Sequence, residues 1–385
     1  MWLKSFHLKN FKSFEDSDKH QLDKRVNVLV GQNNTGKTAL LQAVSLQISA
    51  IPHKSSKLRR EDRPNPRSTI DIEFVLSGQE MKDALLGFDA NVQVPVPGRW
   101  LDVGGDQKQG VLNKIFAEQE IVFSAQRFVT TANESGLAQT RYPSATFSEP
   151  ITKHFIHFTR APDHSSFHVA QIAGGENDNI ATALLPKFLE RVYFFNALRN
   201  PNATHPYGDR KSLDTNAANL AEVLGTLQPS PTAFRKYVET VRRVLPLIKW
   251  VSVTGAGGNQ TEVRIWQVDE STGRDDLTIP LAQCGTGVGQ VLAILYVVTQ
   301  SSGNVILIDE PNSFLHPGAA KALMSILRED DKNQYIISTH SSEVIAAIDP
   351  AKMFVLGFEH EASTVKQVDR ADLNSIVSFT RAATS

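Results

Sequence analysis

The segment that organises this chain reads Val26-Asn27-Val28-Leu29-Val30-Gly31-Gln32-Asn33-Asn34-Thr35-Gly36-Lys37-Thr38-Ala39-Leu40-Leu41-Gln42-Ala43-Val44. The pattern predicts a buried β-strand, a tight loop and an α-helix. In this setting a glycine-rich loop wraps phosphate groups with its backbone N–H groups, and the positive end of the helix dipole faces the anion. The sequence therefore predicts a nucleoside triphosphate site, with an ordinary glycine-rich turn as the alternative interpretation.

The residue types in this loop fit the chemistry of a bound triphosphate. Lys37 would reach the β- and γ-phosphates, and the Thr38 hydroxyl would bind Mg²⁺. Nucleotide contacts are predicted for the consecutive residues Asn33, Asn34, Thr35, Gly36, Lys37, Thr38 and Ala39.

A second motif is a strand signal that ends in two carboxylates. It reads Asn304-Val305-Ile306-Leu307-Ile308-Asp309-Glu310-Pro311. An unbroken Val/Ile/Leu run is typical of a parallel strand covered on both faces, and ligands bind at the carboxyl edge of such sheets. Asp309 is predicted to hold Mg²⁺, and Glu310 to orient and deprotonate the attacking water. For the acidic pair taken alone, a solvated turn is the alternative.

A helix and a third strand follow the carboxylates. Residues Pro317 to Glu329 are predicted to be helical, and Gln334-Tyr335-Ile336-Ile337-Ser338-Thr339-His340 is predicted to be a buried strand that ends in a histidine. His340 would face the γ-phosphate from the same edge of the sheet. A lone histidine after a strand is more often structural, so this prediction depends on the two neighbouring motifs.

A glycine-rich turn, Gln283-Cys284-Gly285-Thr286-Gly287-Val288-Gly289-Gln290, opens a mostly apolar helix upstream of Asp309. Gly285, Thr286 and Gly287 would present a helix N-terminus to an anion. Since the chain already has one phosphate loop, they are predicted to bind the nucleotide held by a second copy. A turn that only eases a tight bend before a core helix is the alternative.

The order of these motifs resembles the ATPase heads of the ABC superclass. Within it, the chain is similar to the branch of structural maintenance of chromosomes (SMC) proteins, RecF and, above all, the OLD (overcoming lysogenization defect) family. The matching segments are Leu3-Lys4-Ser5-Phe6-His7-Leu8-Lys9-Asn10-Phe11-Lys12-Ser13-Phe14, Asp309-Glu310-Pro311, Leu315-His316-Pro317, Thr339-His340-Ser341 and Gly285-Thr286-Gly287-Val288-Gly289-Gln290. Less specific matches are Arg199 and Asn219-Leu220. The resemblance covers residues 1–50 and about 190–370.

The resemblance implies an α/β fold: a two-lobed ABC-type ATPase head with a mainly parallel core sheet, an antiparallel β-subdomain and a helical insertion. It also implies a homodimer or higher homo-oligomer that sandwiches ATP and Mg²⁺ between the Lys37 loop of one copy and the Gly285 turn of the other. By position, the catalytic roles fall to Lys37, Glu310 and His340.

Two features leave this resemblance incomplete. The commonest signature turn of the superclass has a serine before two adjacent glycines, whereas Cys284 and Thr286 stand in this neighbourhood. The glutamine at the junction of the lobes has three unsupported candidates, Gln119, Gln126 and Gln171.

Three consecutive segments are predicted: 1–175 as an N-terminal lobe with the phosphate loop and antiparallel strands, 176–248 as a helical lobe, and 249–385 as a C-terminal lobe with the other motifs. Apolar patterning predicts strands at Ser68–Leu76, Ile121–Phe128 and His154–Phe158, and the resemblance implies that they are the antiparallel strands of the N-terminal lobe. It predicts helices at Ile180–Arg191, Ala217–Leu227 and Thr232–Leu245. Further strands are predicted at Trp250–Val253, Thr261–Gln267 and Leu277–Pro280, with a final hairpin at Met353–Leu356 and Ser363–Val368.

Composition predicts a soluble, cytoplasmic protein. The chain has 385 residues, 41% of them hydrophobic, one cysteine (Cys284), and a net charge of −1 at pH 7. Its apolar runs are shorter than the roughly 18 residues that a membrane span needs, and no leader pattern opens it. Residues 53–67 carry six Lys/Arg against two acids, which makes them a candidate DNA-backbone contact or a merely solvated loop.

Spacing separates the candidate functions. The interval between Lys37 and Gly285 is much longer than in ABC transporter domains, and prolines and glycines interrupt it, so long heptad arms are not expected. Because only 45 residues follow His340, a nuclease domain is not expected after it. The main hypothesis is an ATP-hydrolysing switch that regulates a separately encoded effector, a nuclease or toxin, in prokaryotic anti-phage defence. The alternatives are a RecF-like ATP-dependent DNA-binding repair protein and a slowly hydrolysing scaffold.

Overall fold

The structure, a computed structural model, describes residues 1–46, 68–88, 91–100, 108–129, 135–141, 151–174, 180–196 and 203–368. The basic segment of residues 53–67 and Arg199, both noted in the sequence, lie outside these ranges. Within them, no helix is long and apolar enough to cross a lipid bilayer.

The described elements follow in chain order. The strands are β1 (Trp2–Phe11), β2 (Phe14–Asp16), β3 (His20–Gln21), β4 (Val26–Gly31), β5 (Ser68–Leu76), β6 (Val92–Pro97), β7 (Ile121–Val129), β8 (Ser135–Arg141), β9 (Ile151–Arg160), β10 (Phe167–Gly174), β11 (Val192–Phe195), β12 (Thr204–Pro206), β13 (Trp250–Gly257), β14 (Gln260–Trp266), β15 (Ile279–Pro280), β16 (Val305–Asp309), β17 (Gln334–Thr339), β18 (Lys352–Glu359) and β19 (Ala362–Val368). The helices are α1 (Lys37–Val44), α2 (Gly78–Leu86), α3 (Lys108–Ala117), α4 (Ile180–Leu189), α5 (Leu220–Leu227), α6 (Pro231–Val244), α7 (Thr286–Gln300), α8 (Pro317–Glu329) and α9 (Ser342–Ile348).

The described residues form two compact units. The first draws on Met1–Lys24, Gln42–Arg191 and Phe358–Val365, and the second draws mainly on Arg25–Leu41 and Val192–Gly357. The predicted segments 1–175, 176–248 and 249–385 cut across this division, because strand β4 and the phosphate loop pack with the later part of the chain.

The first unit contains two antiparallel sheets. One has the strand order β2-β1-β5-β7-β8 with β3 paired to β1, and the other has the order β10-β9-β6. Along β5, Ile70, Ile72 and Phe74 are buried while the residues between them are partly exposed, as expected for a strand with one face on a core. The ring of Phe74 stacks on Phe123 and Phe188, with centroids 5.4 Å and 4.7 Å away.

Gly78, the first residue of α2, lies against the end of α3 in this unit. A Cβ atom at Gly78 would stand 2.3 Å from the carbonyl oxygen of Ile115 and 2.5 Å from the backbone of Phe116. The Gly78 N–H donates to the carbonyl oxygen of Glu118 at 2.8 Å. Two backbone segments therefore approach each other at a distance that only glycine allows.

We expect Gly78→Ala to lower the free energy of unfolding by about 1–3 kcal/mol, because the atoms that it meets are backbone and cannot move aside. Gly110→Ala is the matched control: Gly110 lies inside α3 with nothing within 4 Å of its Cβ position. Alanine there should raise stability by up to about 1 kcal/mol. Denaturant unfolding measures both changes, and equal stabilities of the two variants would contradict the close approach.

The second unit is built on a parallel sheet with the order β11-β16-β17-β4-β18, and β19 follows β18 in that order. Every neighbouring pair from β11 to β18 is parallel. Every residue of Val26–Val30, β16 and β17 is buried, as a strand covered on both faces requires. The buried strands predicted at the three motifs are confirmed.

Helix α6 packs against α7 and α8 in the second unit. One face of α6 is buried, consisting of Phe234, Tyr237, Val238, Val241 and Val244. The Tyr237 hydroxyl donates to the carbonyl oxygen of Leu292 in α7 at 3.0 Å. Burial raises the pKa of Tyr237 well above its usual value, so the phenol stays neutral and remains a donor.

The helix predicted from Ala217 begins later, at Leu220. Ala217 has φ +58°, in the left-handed region that a right-handed helix cannot include. Asn219 ties down the preceding loop, because its amide oxygen accepts from the N–H of Asp214 at 2.7 Å and its Nδ2 donates to the carbonyl oxygen of Ser212 at 3.1 Å. Side-chain bonds to the backbone thus replace the first helical turn.

The remaining element predictions hold with small shifts of boundary. Strand β5 and helix α8 have the predicted bounds, and the strand predicted at His154–Phe158 is the middle of the longer β9. The other confirmed predictions are the strands β7, β13, β14 and β15, the helices α4 and α6, and the final hairpin β18–β19. That β18 also joins the parallel sheet beside β4 was not foreseen.

Candidate functional site

Three turns meet at the carboxyl edge of the parallel sheet in the second unit. Strand β4 ends at Gly31, β16 at Asp309 and β17 at Thr339. In the register of the sheet, Asp309 pairs with Ser338 and Thr339 with Val30, so the three strands end side by side. This edge is where open α/β sheets bind ligands.

The phosphate loop, residues 32–36, connects β4 to α1 by a tight path. Asn34 has φ +67° and Gly36 has φ +97°, both in the left-handed region. A Cβ atom at Gly31 would stand 2.6 Å from the carbonyl oxygen of Leu356 and 2.6 Å from the hydroxyl of Thr35. Alternation of left-handed and right-handed residues turns successive N–H groups to one side, which makes an anion-binding concavity.

The ammonium group of Lys37 is buried inside this loop, with 6% of the residue exposed. It donates to the carbonyl oxygens of Gly31 at 2.8 Å and Gln32 at 3.0 Å. Its Nζ also lies 3.2 Å from Oε1 of Glu310. The structure therefore brings together a lysine and a glutamate that are far apart in the sequence.

Thr38 and Asp309 bring two oxygen-bearing side chains together. The Thr38 hydroxyl donates to Oδ2 of Asp309 at 2.6 Å, and the Ser338 hydroxyl donates to Oδ1. A hydroxyl and a carboxylate are the donors that Mg²⁺ prefers in proteins. These two residues fit the magnesium role that the sequence predicts.

Glu310 has a strained backbone, with φ +50° and ψ +65°. Its N–H donates to the carbonyl oxygen of Ser338 at 3.1 Å. Oε2 lies 2.8 Å from Nδ1 of His340, so the carboxylate sits between Lys37 and His340. Non-glycine residues in this conformation concentrate at functional sites.

The contacts of the Glu310 carboxylate are close but poorly aligned. Among the described residues, neither oxygen of Glu310 nor Nδ1 of His340 has a hydrogen-bond partner of good geometry. We read the Lys37–Glu310 distance as a charge contact, because an ion pair depends on separation whereas a hydrogen bond also needs alignment, and the Glu310–His340 distance as a close approach. Buried polar atoms left in this state mark a place where a ligand can complete the bonding.

The glycine-rich turn lies at the start of α7. Gly285 is the N-cap, Thr286 is the first helical residue, and both are exposed. Gly287 is buried, and a Cβ atom there would stand 2.0 Å from the carbonyl oxygen of Phe314. Within the described ranges, no hydrogen bond or ion pair joins these three residues to Lys37 or Asp309.

Residues 1–345 match a protein family described as AAA ATPase domain. The chain belongs to this family. A search of curated proteins finds no match to this chain.

Solved structures with the same fold include two SMC heads. One is an Smc head bound to the C-terminal winged-helix domain of ScpA, with a TM-score of 0.53 and 13% identity over 97% of this chain and 100% of the other. The second is an Smc head with an extended coiled coil, bound to the C-terminal domain of ScpA, derived from Pyrococcus furiosus. Its TM-score is 0.52, with 12% identity over 99% of each chain. The predicted α/β fold of an ABC-type ATPase head is thereby confirmed.

Some of the residues predicted for the site of the AAA ATPase domain do not lie with Lys37, Asp309 and Glu310 at the carboxyl edge of the parallel sheet. Asn33 and Asn34 are exposed, while Ala39 is buried in α1. The three candidates for the lobe-junction glutamine belong to the first unit. Of these, Gln126 donates to Oδ1 of Asp71 at 2.6 Å, and Gln119 and Gln171 are exposed.

The sequence reasoning missed Ser338. This residue is fully buried in β17 of the AAA ATPase domain and contacts both acidic residues of the site. The available signal was a polar side chain directly after the apolar run Tyr335-Ile336-Ile337, since a buried hydroxyl needs a partner.

Proposed function

We propose that this protein binds and hydrolyses ATP as a molecular switch that dimerises around ATP and regulates a separately encoded effector. The observation that carries the proposal is the convergence of Lys37, Asp309, Glu310 and His340 on one edge of a parallel sheet. The residues come from three strand ends, and their chemistry matches the parts of a nucleoside triphosphatase.

Each residue has a role in the proposed reaction. Lys37 binds the β- and γ-phosphates, and the phosphate takes the place of the Glu310 carboxylate beside its ammonium group. Glu310 then accepts a proton from the attacking water, and His340 contacts the γ-phosphate. Thr38 and Asp309 hold Mg²⁺, which neutralises charge on the phosphate oxygens when it is bound.

The proposed dimer depends on the start of α7. Its N-cap, Gly285, is exposed and makes no side-chain cap, so the N-cap side chain satisfies none of the first N–H groups of this long helix. Such an end favours an anion. We propose that Gly285 and Thr286 bind the γ-phosphate held by a second copy, whereas Gly287 is needed for packing against Phe314.

A pair of variants tests this division. We expect Gly285→Ala to keep wild-type stability, because its Cβ position has nothing within 4 Å, and to weaken ATP-induced dimerisation about tenfold or more by blocking the close backbone approach. Gly287→Ala should instead lower the free energy of unfolding by about 1–3 kcal/mol. Light scattering with ATP or ADP and thermal unfolding measure these effects. Wild-type dimerisation and turnover in Gly285→Ala would contradict the trans contact.

The effector and the defence role are inferred from the resemblance to the OLD family, which is an argument by analogy. The solved SMC heads named above are bound to a domain of a separate protein, ScpA, and this supports a separate protein partner for the present chain. We propose a nuclease or toxin as that partner, in anti-phage defence. The genes beside this one provide the test: an adjacent nuclease or toxin gene supports the proposal, and a setting of DNA-repair genes contradicts it.

A RecF-like DNA-binding role is the second candidate. One observation favours it: the exposed face of α6 carries Arg235, Lys236, Arg242 and Arg243 against a single acid, Glu239. Arg243 is paired with Glu329 at 2.8 Å, which reduces the positive charge of this face. DNA binding that requires ATP and weakens with salt would favour this role over effector control.

A further inference from the structure

Ser338 lies at the centre of the candidate site without being one of its chemical groups. It belongs to β17, the strand between β16 and β4, and none of its surface is exposed. In the sheet register it is the partner of Asp309. A change in its side chain therefore first affects Asp309, the last residue of β16, and Glu310, which follows that strand.

The Ser338 hydroxyl both accepts and donates a hydrogen bond. It accepts a hydrogen bond from the N–H of Glu310 at 3.1 Å, and it donates to Oδ1 of Asp309. A hydroxyl has one donor and two acceptor positions, so both bonds can exist together. The hydroxyl thus links the backbone of the proposed base to the carboxylate of the proposed metal ligand.

The two oxygens of Asp309 have different partners. Oδ2 accepts from Thr38 at 2.6 Å, and Oδ1 accepts from Ser338. A carboxylate held at one oxygen only can rotate about its Cβ–Cγ bond, whereas one held at both oxygens has a fixed plane. Partners of this kind orient the ligands of metal sites and change their metal affinity.

We propose that Ser338 is a positioning residue that fixes the Asp309 carboxylate so that Oδ2, together with the Thr38 hydroxyl, is presented to Mg²⁺. This inference rests on the proposed function. It predicts a specific division of effects: the Ser338 hydroxyl matters for nucleotide binding that depends on magnesium, and it matters little for nucleotide binding without magnesium. Lys37 and the loop backbone carry the latter, and among the described residues the printed bonds of Lys37 go to the carbonyl oxygens of Gly31 and Gln32 and not to Ser338.

A purely structural role for the hydroxyl is the competing explanation. Strands β16 and β17 are already joined by a parallel ladder from Val305 and Gln334 to Asp309 and Ser338. The Glu310 N–H also has a second acceptor, the carbonyl oxygen of Ser338, at 3.1 Å. Because the backbone alone pairs these strands, the hydroxyl is not needed for strand pairing, and its bond to the Asp309 carboxylate can orient that group.

The test measures the dissociation constant of a non-hydrolysable ATP analogue, AMPPNP, in excess Mg²⁺ and in excess EDTA. In EDTA, Ser338→Ala should match the wild type within about twofold. The gain in affinity produced by Mg²⁺ should fall by about tenfold to a hundredfold. Ser338→Thr keeps the hydroxyl and should restore most of the gain.

Ser363→Ala is the matched control. Ser363 is also buried, in the first unit, and its hydroxyl donates to the Ser13 hydroxyl at 2.7 Å. The Ser363→Ala variant also loses a buried hydroxyl group, and it should behave as the wild type in both titrations. If Ser338→Ala does not fold, Ser338→Cys replaces it, because a thiol has nearly the same volume and is a weak donor. The same loss of the magnesium effect is expected.

The outcomes separate the inference from the function on which it rests. A wild-type magnesium effect in Ser338→Ala overturns the inference and leaves the nucleotide site standing. An equal loss of affinity in Mg²⁺ and EDTA also overturns it, because that result means a structural role. A wild-type protein that binds no AMPPNP in either condition overturns the proposed function, and the inference with it.

Discussion

Glu310→Gln is expected to slow ATP hydrolysis by about a hundredfold to ten-thousandfold, the range typical of losing a general base. Glutamine has nearly the size and shape of glutamate but cannot accept the proton of the attacking water. ATP binding should persist, because the bonds of Lys37 to the carbonyl oxygens of Gly31 and Gln32 do not involve Glu310. The ATP-bound form should therefore accumulate, as a dimer if the proposed closure occurs.

Phosphate release at saturating ATP measures this rate, and equilibrium binding to the same protein measures the affinity. Glu239→Gln is the matched control, since Glu239 is an exposed carboxylate on α6. Its rate should stay within about twofold of the wild type. Hydrolysis by Glu310→Gln at the wild-type rate would show that another group is the base.

Lys37→Met should weaken ATP binding by about a hundredfold or more, because the variant loses several charge-assisted hydrogen bonds to phosphate oxygens. Methionine keeps the aliphatic part of the buried side chain, so the change removes mainly the charge. Removing it also leaves the carboxylate of Glu310 next to His340 alone. A modest loss of stability is therefore expected together with the loss of affinity.

Isothermal titration with ATP and Mg²⁺ measures the binding, and thermal unfolding shows whether the variant is folded. Lys321→Ala, an exposed lysine of α8, is the control and should bind as the wild type does. A folded Lys37→Met protein with unchanged affinity would place the triphosphate elsewhere.

Much of the second unit could be predicted because its strands are buried on both faces. An unbroken apolar run such as Val305–Ile308 has few interpretations besides a core strand, and a polar residue directly after it must lie at a sheet edge. The predicted bounds of α8 are those observed, since Pro317 at the first helical turn gives a clear local signal.

The order of the strands could not be predicted in this way. Apolar composition indicates that β17 is buried but not that it lies between β16 and β4. The placement of Ser338 beside Asp309 follows from that order, so the sequence can indicate a buried hydroxyl at Ser338 but not that Asp309 is its partner. The left-handed backbone of Glu310 was equally hidden, because it results from packing and not from local preference.

At the start of α5, composition predicts a helix that begins earlier than the observed one. The residues from Ala217 favour a helix by composition, but Asn219 uses its side chain to bond the backbone of the preceding loop. Competition between side-chain and helical hydrogen bonds decides such boundaries, and it depends on contacts that only the folded chain provides.

The most direct test of the central claim is a crystal structure of Glu310→Gln with ATP and Mg²⁺. The account predicts the triphosphate in the loop of residues 32–36, with Lys37 on its phosphates, Thr38 and Asp309 at the metal, and His340 facing the γ-phosphate. A nucleotide bound away from this loop, or one in contact with Lys37 but not with the ends of β16 and β17, would contradict it.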